Sequence, residues 1–296
     1  MKEKPFSKYQ ILANVVMIIW TLAIILPFIL LFMSSITDEN TLVANGYSFF
    51  PKKFSLASYS YIIKSGGQIL KAYGVSIGVT VVGTLLNVLL SALMAYPLSV
   101  KNLPGRNVMM FFVFFTMLFN GGIVPSYIMW TGTFHIKDTI FAQLLPNFLL
   151  SAWNVMMIRT YFTTSIPDGL YEAAEIDGAS QFTIFWKIVL PLGKPILVTM
   201  GTFAGLAYWN DWTNGLYYIV KNTGLYNVQN LLNQMVQNIQ FLIQSSNSNV
   251  TAAASTIPAT GIQMAIAFVA ILPIMLIFPS FQKYYAKGIA LGAVKG

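Results

Sequence analysis

The sequence contains no cysteine and a single histidine, and charged residues make up only 9% of its 296 positions. Without cysteine there is no disulfide framework, no Cys-based zinc site and no thiol nucleophile. With His135 alone, neither a His-rich metal site nor a Ser/His catalytic triad is expected. The phosphate-binding pattern G-x-x-x-x-G-K-[ST] is also missing, so the chain has no P-loop of its own.

Long apolar runs take the place of the missing charges. Hydrophobic residues make up 56% of the chain, whereas soluble domains are about 25% charged. This composition excludes a soluble globular protein and a disordered one, and it indicates an integral membrane protein. The net charge of +8 is sparse and lies between apolar runs. Cytoplasmic loops rich in Lys and Arg explain it without nucleic acid.

The uncharged runs predict an all-α membrane protein with six transmembrane helices in one domain, residues 1–296. A helix needs about 20 residues to cross about 30 Å of hydrocarbon. The runs are continuous rather than alternating, which excludes a β-barrel. The first run is too long for a signal-peptide core and lacks an A-x-A cleavage site, so we expect an uncleaved anchor. The predicted spans are 11–34, 73–99, 107–130, 139–161, 195–219 and 261–281.

The distribution of positive charge predicts the orientation. With the N-terminus in the cytoplasm, 11 of the 17 Lys and Arg lie in inner segments and 6 in outer ones. Six spans then place both termini in the cytoplasm. The outer segment 227–249 has 14 Asn, Gln or Ser among 23 residues, with apolar residues at helical spacing. It predicts an amphipathic helix that rests on the membrane or its own bundle, or that docks an external partner.

The cytoplasmic loop 165–191, between spans 4 and 5, carries four of the nine acids. Ser165 is a candidate N-cap, and Asp168 completes an S-x-x-D capping pattern. Gly178 suits a left-handed turn and Ser180 suits a second cap. Pro191 is expected to end the second helix, and Pro195 to begin the fifth span. The pattern predicts a helix–turn–helix that projects into the cytoplasm, and its second helix carries the apolar stripe Phe182, Phe185, Trp186 and Val189.

This loop resembles the EAA signature of ATP-binding-cassette importer permeases. It reads Glu172-Ala173-Ala174-x-x-Asp177-Gly178-Ala179, followed by Phe185, Ile188, Leu190-Pro191 and Pro195. The form is similar to that of the carbohydrate-uptake type 1 family, which includes the maltose importer permeases. The resemblance covers almost the whole chain. Asn120-Gly121-Gly122, Trp209-Asn210-Asp211-Trp212 and the tail 282–296 resemble the polysaccharide and multiple-sugar branch.

The resemblance implies that this loop is a coupling helix held in a cleft of an ATPase subunit. Glu172 would be a charged anchor, Ala173 and Ala174 would allow a close fit, and Gly178 would allow the bend. The implied coupling residues are Glu172, Ala173, Ala174, Asp177, Gly178, Ala179 and Phe185.

The same resemblance implies a multi-pass protein of the bacterial cell membrane that is not an enzyme and holds no cofactor. ATP and Mg would be bound by partner ATPases. The expected partners are a second homologous permease, two ATP-binding-cassette ATPase subunits, an extracellular sugar-binding protein and an oligosaccharide substrate, with no nucleic acid. The tail 282–296 is implied as a second contact with the ATPases, and 227–249 as a contact with the binding protein.

Two groups of residues are candidates for a substrate path. Trp209-Asn210-Asp211-Trp212 combines aromatic faces with amide and carboxylate groups, which suit sugar rings and hydroxyls. The alternatives are an interfacial aromatic belt with a wetted acid, or packing against a partner permease. Asn120, Gly121 and Gly122 interrupt the third span, so they either line a pathway or simply end a helix at the outer surface.

Two other functional classes are less well supported. An ion-coupled secondary carrier needs ionisable groups at the midplane and usually an internal repeat, and only Asp211 qualifies. A membrane-embedded enzyme would need acids or a metal site beside the membrane, whereas the acids here cluster in one loop. The small pairs Gly74-x-x-x-Gly78 and Gly201-x-x-x-Gly205 predict close helix packing.

Overall fold

A computed structural model describes residues 8–64, 66–244 and 259–293. Within these residues every regular element is a helix, and one isolated antiparallel bridge joins Thr37 and Phe54, which confirms the all-α prediction. The α-helices are α1 Lys8–Ser35, α2 Glu39–Asn45, α3 Ala57–Lys64, α4 Gly66–Ser99, α5 Arg106–Leu118, α6 Ile123–Ile128, α7 Phe141–Leu144, α8 Ala152–Ser165, α9 Asp168–Ile176, α10 Gln181–Ile184, α11 Leu190–Leu192, α12 Lys194–Asn210, α13 Thr213–Tyr218, α14 Val228–Gln244 and α15 Ala259–Ala293.

Three of these helices, α1, α4 and α15, are long and apolar enough to cross a membrane. Two bent pairs also qualify by length and composition: 106–118 with 123–133, bent by 109°, and 181–192 with 194–210, bent by 78°. The described residues therefore provide between three and five candidate spans. The third predicted span, 107–130, is broken, because α5 ends at Leu118 and a new helix starts at Ile123.

The fourth predicted span, 139–161, differs from the continuous helix that its apolar run suggested. It consists of α7, an irregular segment and α8. Pro146 has no backbone N–H and cannot donate a helical hydrogen bond, so the bonding pattern of the helix is interrupted there. Side chains of other helices satisfy the freed carbonyl groups. The Tyr208 hydroxyl donates to Leu144 O at 2.8 Å, Asn214 Nδ2 to Pro146 O at 3.1 Å, and Asn87 Nδ2 to Phe148 O at 2.6 Å.

The described helices form two compact units, whose boundaries fall within α4, α14 and α15. The first consists of the described residues in Met1–Ile69 and Leu232–Pro273. Here the Glu39 carboxylate accepts hydrogen bonds from the backbone amides of Thr260 at 2.9 Å and Gly261 at 2.8 Å. A carboxylate at this position satisfies free amides at the start of α15 and complements the helix dipole.

The second unit, Leu70–Leu231 with the described part of Ile274–Gly296, depends on a close contact between α4 and α12. A Cβ added at Gly205 would lie 3.3 Å from the Thr84 hydroxyl, and one added at Gly201 would lie 3.4 Å from Val88 Cγ2. These distances confirm close packing for the pair Gly201 and Gly205. For the other predicted pair, Gly74 and Gly78, no described atom lies within 4 Å of either Cβ position.

Gly83 and Gly78 provide a matched test of this contact, because they lie on the same helix. A Cβ at Gly83 would overlap the Tyr208 ring, which is 2% exposed and held by its hydrogen bond to Leu144 O. We expect Gly83→Ala to destabilise the chain by about 1–3 kcal/mol through overpacking. Gly78→Ala should stabilise it by up to about 1 kcal/mol through helix propensity. Thermal unfolding in detergent measures both, and an equal rise in midpoint for the two variants would contradict the contact.

Candidate functional site

The first helix of the 165–191 loop begins later than its sequence pattern suggested. Ser165 is the last residue of α8, and α9 begins at Asp168 with Pro167 at the N-cap position and no side-chain cap bond. The predicted S-x-x-D cap is therefore wrong. The reason is that Pro167 disfavours helical backbone at the preceding residue. Ile166 is accordingly extended (φ −104°, ψ 116°), and the chain leaves α8 there.

The turn after α9 agrees with the sequence. Gly178 has φ +75°, a left-handed conformation that glycine adopts without steric cost. The amides of Gly178 and Ala179 donate to Glu175 O at 3.0 Å and Ala174 O at 2.9 Å, which closes the end of α9. Ser180 Oγ then accepts from the Thr183 amide at 3.2 Å and caps α10.

The second helix of the loop runs as a π-helix over Phe185–Val189 and ends at Leu192, one residue beyond the proline expected to end it. Gly193 then bends the chain by 78° into α12. A Cβ at Gly193 would lie 2.5 Å from the Phe162 ring and 2.9 Å from Val189 O. Only glycine therefore fits this corner, and Pro195 follows in the first turn of α12 as predicted.

The loop is attached to the end of α4 through side chains that the sequence motif does not include. The Tyr96 hydroxyl donates to Gln181 Oε1 at 2.5 Å, and Gln181 Nε2 donates to Glu175 Oε1 at 2.9 Å. The Tyr96 ring lies 5.5 Å from that of Phe185, which is only 2% exposed. Lys101 and Asp168 form an ion pair. Phe185 is thus a contact within this chain.

Tyr171, on the inner side of α9, strengthens this attachment. Its ring stacks on Tyr96 at 6.4 Å. Burial raises the pKa of the Tyr171 phenol, and the charge of Asp168 acts in the same direction. Tyr171 is therefore a neutral packing residue at physiological pH.

The exposed side of the loop combines acids with apolar groups that no other part of the described chain covers. Glu172, Ala173, Asp177 and Gly178 are exposed, Ala179 is half-buried, and Ala174 is buried against the chain. Four large side chains are also exposed, although apolar groups normally avoid water: Leu170 (41%), Ile176 (86%), Phe182 (67%) and Trp186 (43%). We call these four the exposed apolar set. Sequence reasoning missed Leu170 and Ile176; the signal for Ile176 was an isoleucine between two acids.

In the candidate substrate-path motif Trp209–Trp212, Asp211 is 5% exposed and follows directly after α12. Its Oδ1 accepts from the Thr213 amide at 2.9 Å, the Thr213 hydroxyl at 2.7 Å and the Asn214 amide at 3.3 Å. This carboxylate therefore caps α13. Asn227 Nδ2 donates to Asp211 O at 2.6 Å, and Asn230 Nδ2 donates to Trp212 O. The motif is a junction where α12, α13 and the start of α14 are joined.

Within Trp209–Trp212, only Asn210 and Trp212 present exposed side chains, and Trp209 is 8% exposed with its ring 6.3 Å from Tyr73. Asn120, Gly121 and Gly122 are all exposed. Gly122 has φ +84°, and its amide donates to Asn120 Oδ1 at 2.8 Å. This turn breaks the third span. Among the described residues, no group of three or more His, Asp or Glu is placed to hold a metal ion.

A further carboxylate organises the loop between the third and fourth predicted spans. Asp138 Oδ1 accepts from the backbone amides of Val220 at 2.7 Å, Lys221 at 2.7 Å and Asn222 at 3.2 Å. The hydrogen bond from the Lys221 amide is the main cause that lowers the pKa of the Asp138 carboxyl, and the bonds from Val220 and Asn222 act in the same direction. Burial acts in the opposite direction without cancelling them. This clamp is complete at neutral pH and is lost as the pH falls through the lowered pKa.

Known proteins match nearly the whole chain. Residues 74–291 fit the family model described as binding-protein-dependent transport system inner membrane component. The polygalacturonan/rhamnogalacturonan transport system permease protein YtcP of Bacillus subtilis is 37% identical over 280 residues, which cover 95% of this chain and 96% of YtcP. The arabinooligosaccharides transport system permease protein AraQ of the same organism is 26% identical and covers 98% of both chains.

A solved structure is also similar. It is the crystal structure of a bacterial ABC transporter involved in the import of the acidic polysaccharide alginate. One of its chains superposes with a TM-score of 0.78 at 26% identity, and the match covers 96% of this chain and all of that one. The chain therefore belongs to the family of inner membrane components of binding-protein-dependent transport systems.

Proposed function

We propose that this chain is one of two permease subunits of an ATP-driven importer of oligosaccharides, and that the 165–191 loop couples it to an ATPase subunit. Its membership of the transport family makes it a membrane permease. The coupling role, the second permease and the substrate class are the parts that we add. In this assembly ATP and Mg bind to the ATPases, and this chain contributes no catalytic group or cofactor.

The observation that carries the coupling role is the exposed side of the loop. The exposed apolar set lies beside Glu172, Ala173 and Asp177 on a segment attached firmly to its own chain. Exposed apolar groups near a charged residue are typical of a surface that a protein partner covers. Glu172, for which the described part of the chain shows no ion pair, is then available to a basic group of the ATPase.

The contacts of the 165–191 loop with α4 and α8 explain how the proposed ATPase contact is transmitted to these helices. Tyr96 and Phe185 link the loop to α4, and Gly193 holds its far end against Phe162 of α8. Ala174 and Phe185 belong to one buried cluster with residues of α4 and α8. In the proposal, these two EAA residues position the loop, while Glu172, Ala173, Asp177 and Gly178 meet the ATPase.

The substrate class rests on the relatives. YtcP is named for polygalacturonan and rhamnogalacturonan transport and AraQ for arabinooligosaccharides, and the similar structure imports alginate. All are chains of sugar units, so we assign oligosaccharides to this permease. Asn210 and Trp212, which are exposed, are the sugar-contacting candidates within their motif. The exposed turn Asn120–Gly122 would border the same path.

We further propose six spans with both termini in the cytoplasm, with the broken segment over 139–161 as the fourth. The outer segment 227–249 is proposed to meet a sugar-binding protein. Its helical part is α14, Val228–Gln244, whereas 245–249 lie outside the described residues. The tail 282–296 is proposed to touch the ATPases; residues 294–296 lie outside the described part of the chain.

An ion-coupled carrier is the alternative, with Asp211 as its titrating group. The capping bonds from Thr213 and Asn214 give Asp211 Oδ1 a structural role, which weakens that alternative. The two mechanisms differ in their energy source. Uptake into proteoliposomes that stops without internal ATP supports the importer, whereas uptake driven by an ion gradient alone would support the carrier.

Ile176→Ser tests the contact with the ATPase. Burying an isoleucine contributes about 1.5–3 kcal/mol, so its loss should weaken ATPase binding about tenfold or more. The chain itself should remain stable, because Ile176 is already 86% exposed. The measurement is the amount of ATPase that co-purifies with the tagged permease. Ile63→Ser on α3, at a residue 75% exposed, is the control, and equal recovery from both variants would contradict coupling through this loop.

Tyr96→Phe tests the attachment of the loop to α4. It removes the hydrogen bond to Gln181, which is worth about 1 kcal/mol, so amide hydrogen exchange over 168–184 should accelerate about fivefold. Transport per ATP hydrolysed should fall, because the loop moves without α4. Tyr217→Phe, at a residue 40% exposed, should change neither quantity. Unchanged exchange in Tyr96→Phe would show that the bond does not hold the loop.

Trp212→Ala tests the sugar path. An exposed tryptophan that stacks on sugar rings should, when removed, raise the substrate concentration for half-maximal transport severalfold. The measurement is uptake of the oligosaccharide accepted by the binding protein, at saturating binding protein. Trp20→Ala on α1, at a residue 64% exposed, removes an equal side chain elsewhere. If the two variants transport alike, Trp212 belongs to an interfacial aromatic belt.

A further inference from the structure

An open apolar groove of about 480 Å³ lies between α4, α5 and α8 in the second unit. The only hydroxyl in its lining, that of Thr116, is occupied, since it donates to Val113 O at 2.8 Å. The groove therefore offers an alkyl chain dispersion contacts and offers no polar partner. Its lining residues are Met94, Pro97, Leu98, Met109, Phe112, Val113, Thr116, Leu150, Ala152 and Val155.

Two arginines lie beside one end of this groove. Arg159 is one helical turn beyond Val155, and its Nε donates to the carbonyl of the lining residue Leu98 at 3.2 Å. Arg106 is the first residue of α5, three residues before Met109, and is close enough to Arg159 for their charges to repel. Both side chains are half-buried.

These two cations have no acid partner among the described residues, whose ion pairs are Lys53–Asp38 and Lys101–Asp168. The N-terminus of α5 adds positive potential, because Gly105 occupies the N-cap position and no side chain caps the helix. Guanidinium groups bind phosphate oxygens in bidentate geometry. An anion between them would relieve the repulsion.

We propose that the groove holds an acyl chain of an anionic phospholipid whose phosphate lies between Arg106 and Arg159. The inference rests on the proposed orientation, which puts this end of α4 and α5 at the cytoplasmic leaflet. That leaflet carries the anionic lipids in which basic residues beside membrane helices find partners. The adjoining apolar groove favours a lipid over free phosphate, and the unpaired arginines favour it over a neutral protein helix.

The position of the groove gives this lipid a consequence for coupling. Leu98, Val113 and Val155 line it and also belong to the buried cluster that contains Ala174 and Phe185 of the loop. A bound lipid would fill the open side of the helices to which the loop is attached. The lipid should therefore favour one position of the loop.

The test uses the whole transporter complex in nanodiscs of phosphatidylglycerol and phosphatidylcholine, with bound lipid counted by native mass spectrometry. We expect phosphatidylglycerol to be enriched at least fivefold on the wild-type complex. Arg106→Gln should lose most of this preference, and Arg106→Gln with Arg159→Gln all of it. Lys64→Gln with Lys71→Gln removes the same charge from exposed side chains elsewhere and should retain it. The single variant Arg106→Gln controls for misfolding of the double variant, because it keeps the hydrogen bond from Arg159 Nε to the Leu98 carbonyl.

Three outcomes would overturn the proposal. The first is an unchanged preference in the double arginine variant. The second is displacement of phosphatidylglycerol by inorganic phosphate, which would assign the arginines to a free anion. The third is a cross-link that places a helix of the second permease in the groove. Lipid counting does not depend on transport, so a wild-type complex that keeps the lipid preference but imports no oligosaccharide with ATP would contradict the proposed function alone.

Discussion

Hydrocarbon offers no hydrogen-bond partner to a free peptide group, and the rest of this structure follows from that constraint. Where the chain is helical, the helix satisfies it. Where the helices break, Asn, Gln and Tyr side chains take over. The irregular segment after α7 is held by Tyr208, Asn214 and Asn87, and Gln143 Nε2 donates to Leu225 O at 3.1 Å. These side-chain hydrogen bonds are few, but each satisfies a backbone carbonyl at a place where a helix is interrupted.

In the second unit, these interruptions place bends between helices at specific residues. Gly193 turns the chain between the loop and α12, and Asp211 ends α12 by capping the next helix. Between these bends α12 packs closely on α4, because Gly201 and Gly205 present no side chain there. The loop is attached to the same α4 through Tyr96. The loop, α4, α12 and the junction around Asp211 are therefore connected by close packing.

The exposed surfaces of the chain have different chemistry, and each suits a different neighbour. The loop presents Ile176 and Glu172 together, which suits a protein surface with a basic rim. The groove beside Arg106 is apolar along its length and basic at one end, which suits a charged lipid. The Trp209–Trp212 motif exposes Asn210 and Trp212, an amide and an aromatic face, which suit a sugar.

Local chemistry alone predicted much of this molecule. Apolar runs predicted α1, α4 and α15, Gly178 and Ser180 predicted the turn and the second cap, and the acid cluster marked the 165–191 loop. The rest depended on contacts between residues distant in sequence. Phe185 is buried because Tyr96, 89 positions earlier, packs on it, and Ser165 stays in α8 because Pro167 delays the next helix. The break over 139–161 needed partners on other helices to satisfy its carbonyl groups, and only the tertiary structure brings them there.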